Sequence, residues 1–165
     1  MIGNAAFALH HVDYEGAGGL VRGDVLGLLA SIGVDSMVMV EPDSNHASDS
    51  LAVRFAYAYR HYRTVSMSLR AMLTPADAQL AWTEFFAPEV HNVITHEGSR
   101  RTERHETATR WAEHLRGAGF SIRDLKQLVP TSGTPPGFGL HCDPEAFSLC
   151  FNGVGILSVL CGSQR

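Results

Sequence analysis

The sequence has no hydrophobic run long enough for a membrane-spanning helix. No apolar stretch among the 165 residues approaches the roughly 20 residues that such a helix needs. Residues 1–4 also lack the charged and apolar regions of a secretion signal. We therefore expect a protein of the cytoplasm that has no membrane-spanning segment.

Cysteine is scarce as well. The three cysteines, Cys142, Cys150 and Cys161, show no C-x-x-C spacing, and an odd number without a secretion signal predicts reduced thiols. The nine histidines are scattered along the chain without the spacing of metal ligands. The sequence therefore predicts no zinc site.

An excess of positive charge is also missing. The net charge is -4 with neutral histidines, so the chain has no general attraction for phosphate groups, and we expect no direct binding of nucleic acid. Hydrophobic residues make up 45% and charged residues 18%, which is the composition of a folded globular protein. Residues 1–165 fit one domain.

The order of the predicted elements indicates an α/β fold. Residues 1–4 and 36–41 are predicted to be two parallel strands with helices on both sides, because the second is a continuous apolar run that follows a helix. The strand-like segments 147–151 and 156–159 are joined through an Asn-Gly pair at 152–153, which predicts an antiparallel hairpin. Residues 130–139, rich in proline and glycine, are predicted to be a loop.

A long helix over residues 51–72 shows the clearest pattern. Its apolar residues step by three or four and predict one buried stripe: Leu51, Phe55, Ala58, Tyr62, Val65, Leu69 and Met72. The opposite face is expected to be polar and carries several arginines, among them Arg54. A further helix is predicted over residues 103–115.

Three strings of residues resemble the GRAS domain family. NAAFALHH at residues 4–11 resembles the N-x-x-x-x-L-H-H stretch after that family's fourth strand. MVMVEPDSNH at residues 37–46 resembles its fifth-strand segment V-V-x-V-E-x-x-x-N-H, and the EPDSNH part is closer to the bacterial branch than to plant members. EVHNVITHEGSRRTERHET at residues 89–107 resembles E-I-x-N-V-V-A-C-E-G-x-x-R-V-E-R-H-E-T.

The resemblance implies a fold and a cofactor. GRAS domains resemble Rossmann-like methyltransferases that use S-adenosylmethionine, and the family includes plant regulators and bacterial relatives. Residues 1–165 then correspond to the C-terminal half of a class I methyltransferase sheet, with a C-terminal antiparallel hairpin. Since that fold holds S-adenosylmethionine on its first three strands, the resemblance implies that the cofactor-binding half is absent from this chain. The chain alone is expected to be inactive.

The candidate site follows from the ends of the two predicted parallel strands. In open α/β sheets the functional residues lie beyond the carboxyl ends of the strands. Combined with the resemblance, this predicts Glu41 and His46 as catalytic residues. The residues predicted to bind a small-molecule acceptor are Asn4, His10, His11, Asn45, Arg101 and Arg104.

Each of these roles has a structural alternative. Glu41 either serves as a base, its pKa raised by burial, or accepts hydrogen bonds from nearby backbone amides. His46 either takes the acceptor's proton or, with Asn45, caps the next helix. His10 and His11 are either functional or packed in a half-buried loop, and the resemblance alone favours function.

Charges alternate in sign over residues 101–106, at the predicted start of a helix. Glu103 and Glu106 are interpreted as exposed partners in local ion pairs, each worth ~0.3–0.5 kcal/mol. For Arg101 and Arg104 two interpretations stay open, the same ion pairing or bidentate binding of an acidic acceptor.

Two functions are compatible with these patterns. The first is methylation of a small molecule by S-adenosylmethionine once an N-terminal half completes the site. The alternative is a non-catalytic GRAS-type regulator, or a module that binds a partner protein or a ligand.

Overall fold

The computed structural model describes residues 1–12, 21–128 and 133–164, and it shows one mixed sheet with helices packed against it. The strands are β1 (Ile2–Ala6), β2 (Ser36–Pro42), β3 (Ser121–Ile122), β4 (Phe138–Cys142), β5 (Phe147–Phe151) and β6 (Val154–Ser163). The α-helices are α1 (Arg22–Ser31), α2 (Leu51–Met72), α3 (Pro75–Ala81), α4 (Ala87–Thr95) and α5 (Ala108–Gly117). Shorter turns are the 3-10 segments Leu9–His11, Gly98–Arg100 and Lys126–Leu128 and the π-helical segment Trp82–Phe86. None of the described helices combines the length and the apolar character that crossing a membrane requires.

The sheet has its parallel pair at one edge. The strand order is β1-β2-β6-β5-β4, and β3 also pairs with β6. β1 and β2 run parallel, with Asn4 opposite Val38, and the other pairs of described strands are antiparallel. The α/β class with a parallel pair near residues 1–4 and 36–41 is thus confirmed.

The C-terminal hairpin turns where the sequence predicts it. Asn152 and Gly153 join β5 to β6 with φ angles of 48° and 75°. A type I′ turn needs positive φ at both central residues, and asparagine and glycine adopt it with the least strain. The predicted loop over residues 130–139 ends early, because β4 begins at Phe138 and pairs with β5.

Helices α1 and α5 pack on the same face of the sheet. Met37 and Met39 of β2 and Leu160 of β6 lie in one core with α1 and α5. Ile156 of β6 lies in a separate core with Val65 of α2, at an irregularity in the pairing of β5 with β6. The expected arrangement with helices on both sides of the sheet stays a prediction.

The buried face of α2 differs from the predicted stripe. Ala58, Tyr62 and Val65 are buried, but Phe55 is 57% exposed and Arg54 is 0% exposed. The exposed ends of the predicted stripe also include Leu51 and Met72. A buried arginine is possible here because its donors find carbonyl oxygens and a carboxylate, and hydropathy alone does not reveal such partners.

Helix α5 begins later than predicted. Thr107 caps it by accepting a hydrogen bond from the backbone N–H of Arg110, so the helix starts at Ala108. Residues 101–106 are not helical, and the 3-10 turn Gly98–Arg100 ends just before them. This segment carries charged side chains into the interior and contributes Glu103 and His105 to the candidate site.

Candidate functional site

Glu41 lies at the carboxyl end of β2, beside the chain that leaves β1. Its Oε1 accepts hydrogen bonds from the backbone N–H groups of Leu9, at 2.8 Å, and Ala8, at 3.2 Å. Its Oε2 lies 2.6 Å from Nδ1 of His10, in the 3-10 turn after β1. Because parallel neighbouring strands end at the same edge of a sheet, these groups meet there.

Glu103 is a second carboxylate next to His10. Its Oε2 lies 3.3 Å from Nε2 of His10 and 3.4 Å from Nε2 of His105. Its Oε1 lies 3.5 Å from Nδ1 of His11, whose side chain is 50% exposed. Three imidazoles therefore surround one carboxylate.

His105 extends these contacts to His46. The Nδ1 atoms of the two rings lie 2.9 Å apart, so the N–H of one ring donates a hydrogen bond to the other ring. Ser44 Oγ lies 2.8 Å from Nε2 of His46, and the ring of Tyr62 stacks on His46 with 5.3 Å between centroids. We name the following residues the histidine–carboxylate cluster: His10, Glu41, Ser44, His46, Glu103 and His105.

Positive charge in the cluster is centred on His10. Burial acts to lower the pKa of His10, but the neighbouring carboxylates of Glu103 and Glu41 outweigh burial and raise the pKa to about 9. Burial acts to raise the pKa of Glu103, but its contacts with His10 and His105 hold that pKa below its ordinary value. His10 is therefore a cation between two carboxylates near neutral pH.

The imidazoles of His46, His61 and His105 are neutral near pH 7. Burial is the main cause that lowers the pKa of His105 to about 4. Burial, and then the neighbouring His105 and His61, lower the pKa of His46 well below 6.5. His61, whose ring centroid lies 5.6 Å from that of His46, has its pKa lowered to about 3 by burial and by His105.

Arg101 and Arg104 hold the backbone around the cluster. Nη1 of Arg101 donates to the carbonyl oxygens of His46, at 2.8 Å, and Ser48, at 2.9 Å. Arg104 donates from Nε to the carbonyl of Arg101 at 3.0 Å and from Nη2 to that of Gly98 at 2.8 Å. Both arginines are more than nine-tenths buried. These four hydrogen bonds commit the named donors to this chain, which argues against bidentate binding of an acidic acceptor.

The interpretation of Glu103 and Glu106 as exposed ion-pair partners is wrong. The side chain of Glu103 is 12% exposed and that of Glu106 is 4% exposed. Glu106 Oε2 lies 2.9 Å from Nη1 of Arg22 and 2.6 Å from Nε2 of His114. The error follows from the predicted helix start, since a helix at residue 103 would have turned these carboxylates toward solvent.

Asn4 and Asn45, which were predicted to bind an acceptor, lie outside the cluster. Asn4 is exposed in the middle of β1, on the side of the strand opposite the buried Ala5. Asn45 is half-buried after β2, and it does not cap α2, because Ser50 does so by accepting from the backbone N–H of Val53. Of the site residues predicted from β1 and β2, the cluster contains His10, Glu41 and His46, and His11 lies at its edge.

Sequence reasoning missed Glu103 and His105 as members of the site. Both belong to the string R-x-E-R-H-E, which supported the family resemblance without being assigned a role. The missed signal was Thr107, a strong helix N-cap that predicts a helix start after this string. With that start, residues 101–106 become a connecting segment next to the strand ends.

Three residues of this region have the donor atoms and proximity to hold a metal ion. His10, His11 and Glu103 each offer one ligand atom, and these atoms lie within 4.8 Å of one another. The sequence showed no ligand spacing, because Glu103 is far from the two histidines along the chain and only the fold brings it to them.

The segments that form the cluster also belong to the part of the chain that matches a known protein family. The model of the GRAS domain family matches residues 1–133, which include the whole histidine–carboxylate cluster. The chain belongs to the GRAS domain family. This confirms the resemblance that rested on residues 4–11, 37–46 and 89–107.

Relatives of this GRAS chain come from plants. GRAS family protein RAD1 of Lotus japonicus is 33% identical over 131 residues, which cover 78% of this chain and 25% of the relative. Scarecrow-like protein 1 of Arabidopsis thaliana is 30% identical over 133 residues, which cover 78% of this chain and 22% of the relative. DELLA protein DWARF8 of Zea mays is 30% identical over 131 residues, which cover 72% of this chain and 20% of the relative. The chain therefore spans about a quarter or less of the length of these relatives.

A solved structure has the same fold. The crystal structure of SCL7 in Oryza sativa superposes with a TM-score of 0.81 and 21% identity, over 98% of this chain and 47% of that chain. At this identity the likeness concerns the fold alone, and it agrees with the mixed sheet and helices described above.

Proposed function

We propose that this GRAS chain is a non-catalytic binding module that takes an apolar, acidic segment of a partner protein. The observation that carries the proposal concerns Glu41 and His46, the predicted catalytic pair. Their polar atoms are already occupied by other groups of this chain. Glu41 is bonded to two backbone N–H groups and to His10, and both ring nitrogens of His46 contact other cluster residues. Each is 0% exposed. A base must reach the proton that it removes, and neither side chain reaches the surface.

The surface that best suits a partner is a groove between α2 and α4. Its volume is about 330 Å³, and its lining is predominantly apolar. The residues that give it this character are Phe55, Tyr59, Tyr62, Trp82, Val90 and Ile94. Phe55 is 57% exposed and Tyr59 is 64% exposed. Clustered exposed aromatic side chains mark interaction surfaces, where they supply most of the binding energy.

Positive charge along α2 favours an acidic partner. Arg63 lines the apolar groove, and Arg70 lines an adjoining groove of about 720 Å³. The two grooves share Ser66 and Trp82, so they form one continuous track along α2. Apolar side chains of a partner segment would fill the first groove, and its carboxylates would pair with the arginines.

A peptide library displayed on phage tests this proposal. Selection on the wild-type chain is expected to enrich peptides that combine aromatic or aliphatic residues with Asp or Glu. Tyr59→Glu should lower their affinity by about tenfold or more, because it adds a charge to the apolar groove and repels acidic peptides. Tyr57→Glu is the matched control, since Tyr57 lies on the same helix and outside this groove.

Two outcomes would overturn the binding proposal. One is a selection that yields no sequence-related binders. The other is a set of binders whose affinity falls equally with Tyr59→Glu and Tyr57→Glu, which would place the binding surface elsewhere on the chain.

Methyl transfer from S-adenosylmethionine, the bacterial-type branch and the cytoplasmic location stay predictions from the sequence. The described residues at the carboxyl ends of β1 and β2 do not fit that cofactor, because their side chains are buried and bonded to one another. In the methyltransferase fold the cofactor is expected on strands outside residues 1–165.

Titration calorimetry with S-adenosylmethionine separates the two functions. We expect no binding of micromolar strength by the purified chain. A Kd of about 1 µM, which corresponds to about -8 kcal/mol, would instead favour the methyltransferase prediction.

A further inference from the structure

We propose that His10, His11 and Glu103 form a binding site for a divalent transition-metal ion, with Zn²⁺ as the ion that the ligand set fits best. Two imidazoles and one carboxylate are a set that zinc uses in proteins, often with water in the remaining position. The exposed side of His11 provides an entry path from solvent. This inference is independent of the binding role proposed for the α2–α4 groove.

Two of the nitrogen–oxygen separations are close to those of tetrahedral coordination, and the three ligand atoms lie within 4.8 Å of one another. Bonds of about 2.0–2.1 Å from zinc to nitrogen and oxygen place neighbouring tetrahedral ligands about 3.3–3.4 Å apart. Nε2 of His10 lies 3.3 Å from Glu103 Oε2, and Nδ1 of His11 lies 3.5 Å from Glu103 Oε1. An ion can therefore enter between these atoms with small side-chain movements.

Glu41 orients His10 as a metal ligand. Its Oε2 lies 2.6 Å from Nδ1 of His10, and its Oε1 is fixed by the N–H groups of Ala8 and Leu9. A histidine that binds a metal commonly donates its second ring N–H to a carboxylate, which sets the tautomer and the direction of the free nitrogen. Here that direction leads from Nε2 of His10 toward Glu103. An ion at this place would displace the proton that Nε2 of His10 carries near neutral pH, so zinc binding should release a proton to solvent.

Buried atoms without a hydrogen bond point to a missing ligand at the same place. Glu103 Oε2 lies beside Nε2 of His10 and Nε2 of His105, but neither Glu103 Oε2 nor Nε2 of His105 makes a hydrogen bond among the described residues. His105 is 0% exposed, and its Nε2 lies 3.4 Å from Glu103 Oε2, the separation of a neighbouring ligand. Buried polar atoms rarely stay unsatisfied, and a bound cation would satisfy the carboxylate and give His105 a bonding role as a fourth nitrogen. The charges of Glu41 and Glu103 would offset that of the ion.

Zinc titration of the untagged full-length chain, stripped of metals and placed in competition with a chromophoric chelator, tests the site. We expect one zinc per chain with a Kd of about 1 µM or tighter. The thermal unfolding midpoint should rise with added zinc, because an ion that binds only the folded state stabilises it by mass action.

Two variants locate the ion. His11→Ala removes a half-exposed ligand whose loss leaves the core intact, and it should weaken zinc binding by about tenfold or more. His141→Ala, at an exposed histidine of β4, is the matched control and should bind zinc like the wild type. Far-ultraviolet circular dichroism of the metal-free variants checks that each is folded.

The proposal is overturned by wild-type binding weaker than about 1 µM. It is also overturned if His11→Ala binds as tightly as the wild type, or if His141→Ala loses as much affinity. Glu103→Gln, which keeps the size of the side chain, should lose affinity in the same way as His11→Ala.

Discussion

His10 lies between Glu41, at 2.6 Å, and Glu103, at 3.3 Å, with its side chain 4% exposed. Burial alone would keep this imidazole neutral, but two carboxylates outweigh that effect and raise its pKa to about 9. At the other end of the cluster, where no carboxylate is in contact, His46 and His61 follow burial and stay neutral. His105 lies 3.4 Å from one carboxylate, Glu103, and still stays neutral because burial outweighs that contact. At the scale of single residues, the balance between burial and neighbouring carboxylates therefore decides the charge of each histidine.

His61 gives a prediction about stability and pH. Its pKa is about 3 in the folded chain, against 6.5 as the ordinary value, so the unfolded chain binds the proton more readily. Stability from this residue is fully present above pH 6.5 and falls as the pH is lowered toward 3. Between pH 6.5 and pH 5 this contribution falls by about 2 kcal/mol.

Urea unfolding at pH 6.5 and pH 5 measures this effect. The free energy of unfolding of His61→Phe should fall by about 2 kcal/mol less than that of the wild type over this interval. His46 and His105 face His61 and have lowered pKa values too, so the variant should keep part of the pH dependence. Equal losses of unfolding free energy in the wild type and in His61→Phe would contradict the prediction. His141→Gln, at an exposed histidine, is the control.

At the scale of elements, buried arginines tie helices and connecting segments together. Arg54 at the start of α2 donates to the carbonyl oxygens of Val93 in α4 and of Ser48 and Asp49, and it also pairs with Glu97. Helix α2 is therefore held by polar anchors at its beginning and by apolar packing further along.

Neighbouring substitutions in α2 test this arrangement. Arg54→Ala should lower the free energy of unfolding by about 3 kcal/mol, because it leaves buried carbonyl groups unpaired. Phe55→Ser should change it by about 0.5 kcal/mol or less, because Phe55 is 57% exposed. Urea unfolding at pH 7 measures both. A larger loss of unfolding free energy for Phe55→Ser than for Arg54→Ala would contradict this arrangement and would support the apolar stripe that the sequence pattern predicts.

At the scale of the whole molecule, the sheet formed by the described residues has an open edge at β1 and a less covered face. β1 lies at the end of the strand order, and Ile2 within it is 76% exposed. Val38 and Val40 alternate with the buried Met37 and Met39 and are only half-buried. An unpaired strand edge with exposed apolar residues is a template for association, and we expect it to dock a further part of a GRAS protein.

Self-association of the isolated chain checks the role of this edge. Sedimentation velocity at increasing concentration is expected to show association of the wild type. Ile2→Lys should reduce it, because a lysine on an edge strand discourages strand pairing. Leu80→Lys, at an apolar residue that is 60% exposed on α3, is the control. Equal behaviour of the two variants would show that the β1 edge is not the contact.

The sequence by itself determined the α/β class, the parallel pair, the Asn152-Gly153 turn and the family. These features depend on local patterns: an apolar run, a turn pair with positive φ, and strings of residues in order. The proximity of His10 to Glu41 was also within reach, because both follow parallel strands that end at one edge.

Only the tertiary structure decided which side chains face inward on α2 and how the site is built. Arg54 and Glu103 are buried because distant segments supply their partners, and hydropathy counts such residues as exposed. Asn4 lies outside the site because the alternation of β1 turns it away from the core, although its neighbours in sequence are part of the family pattern. Contacts between segments far apart in the chain therefore form the histidine–carboxylate cluster, and local sequence patterns do not predict such contacts.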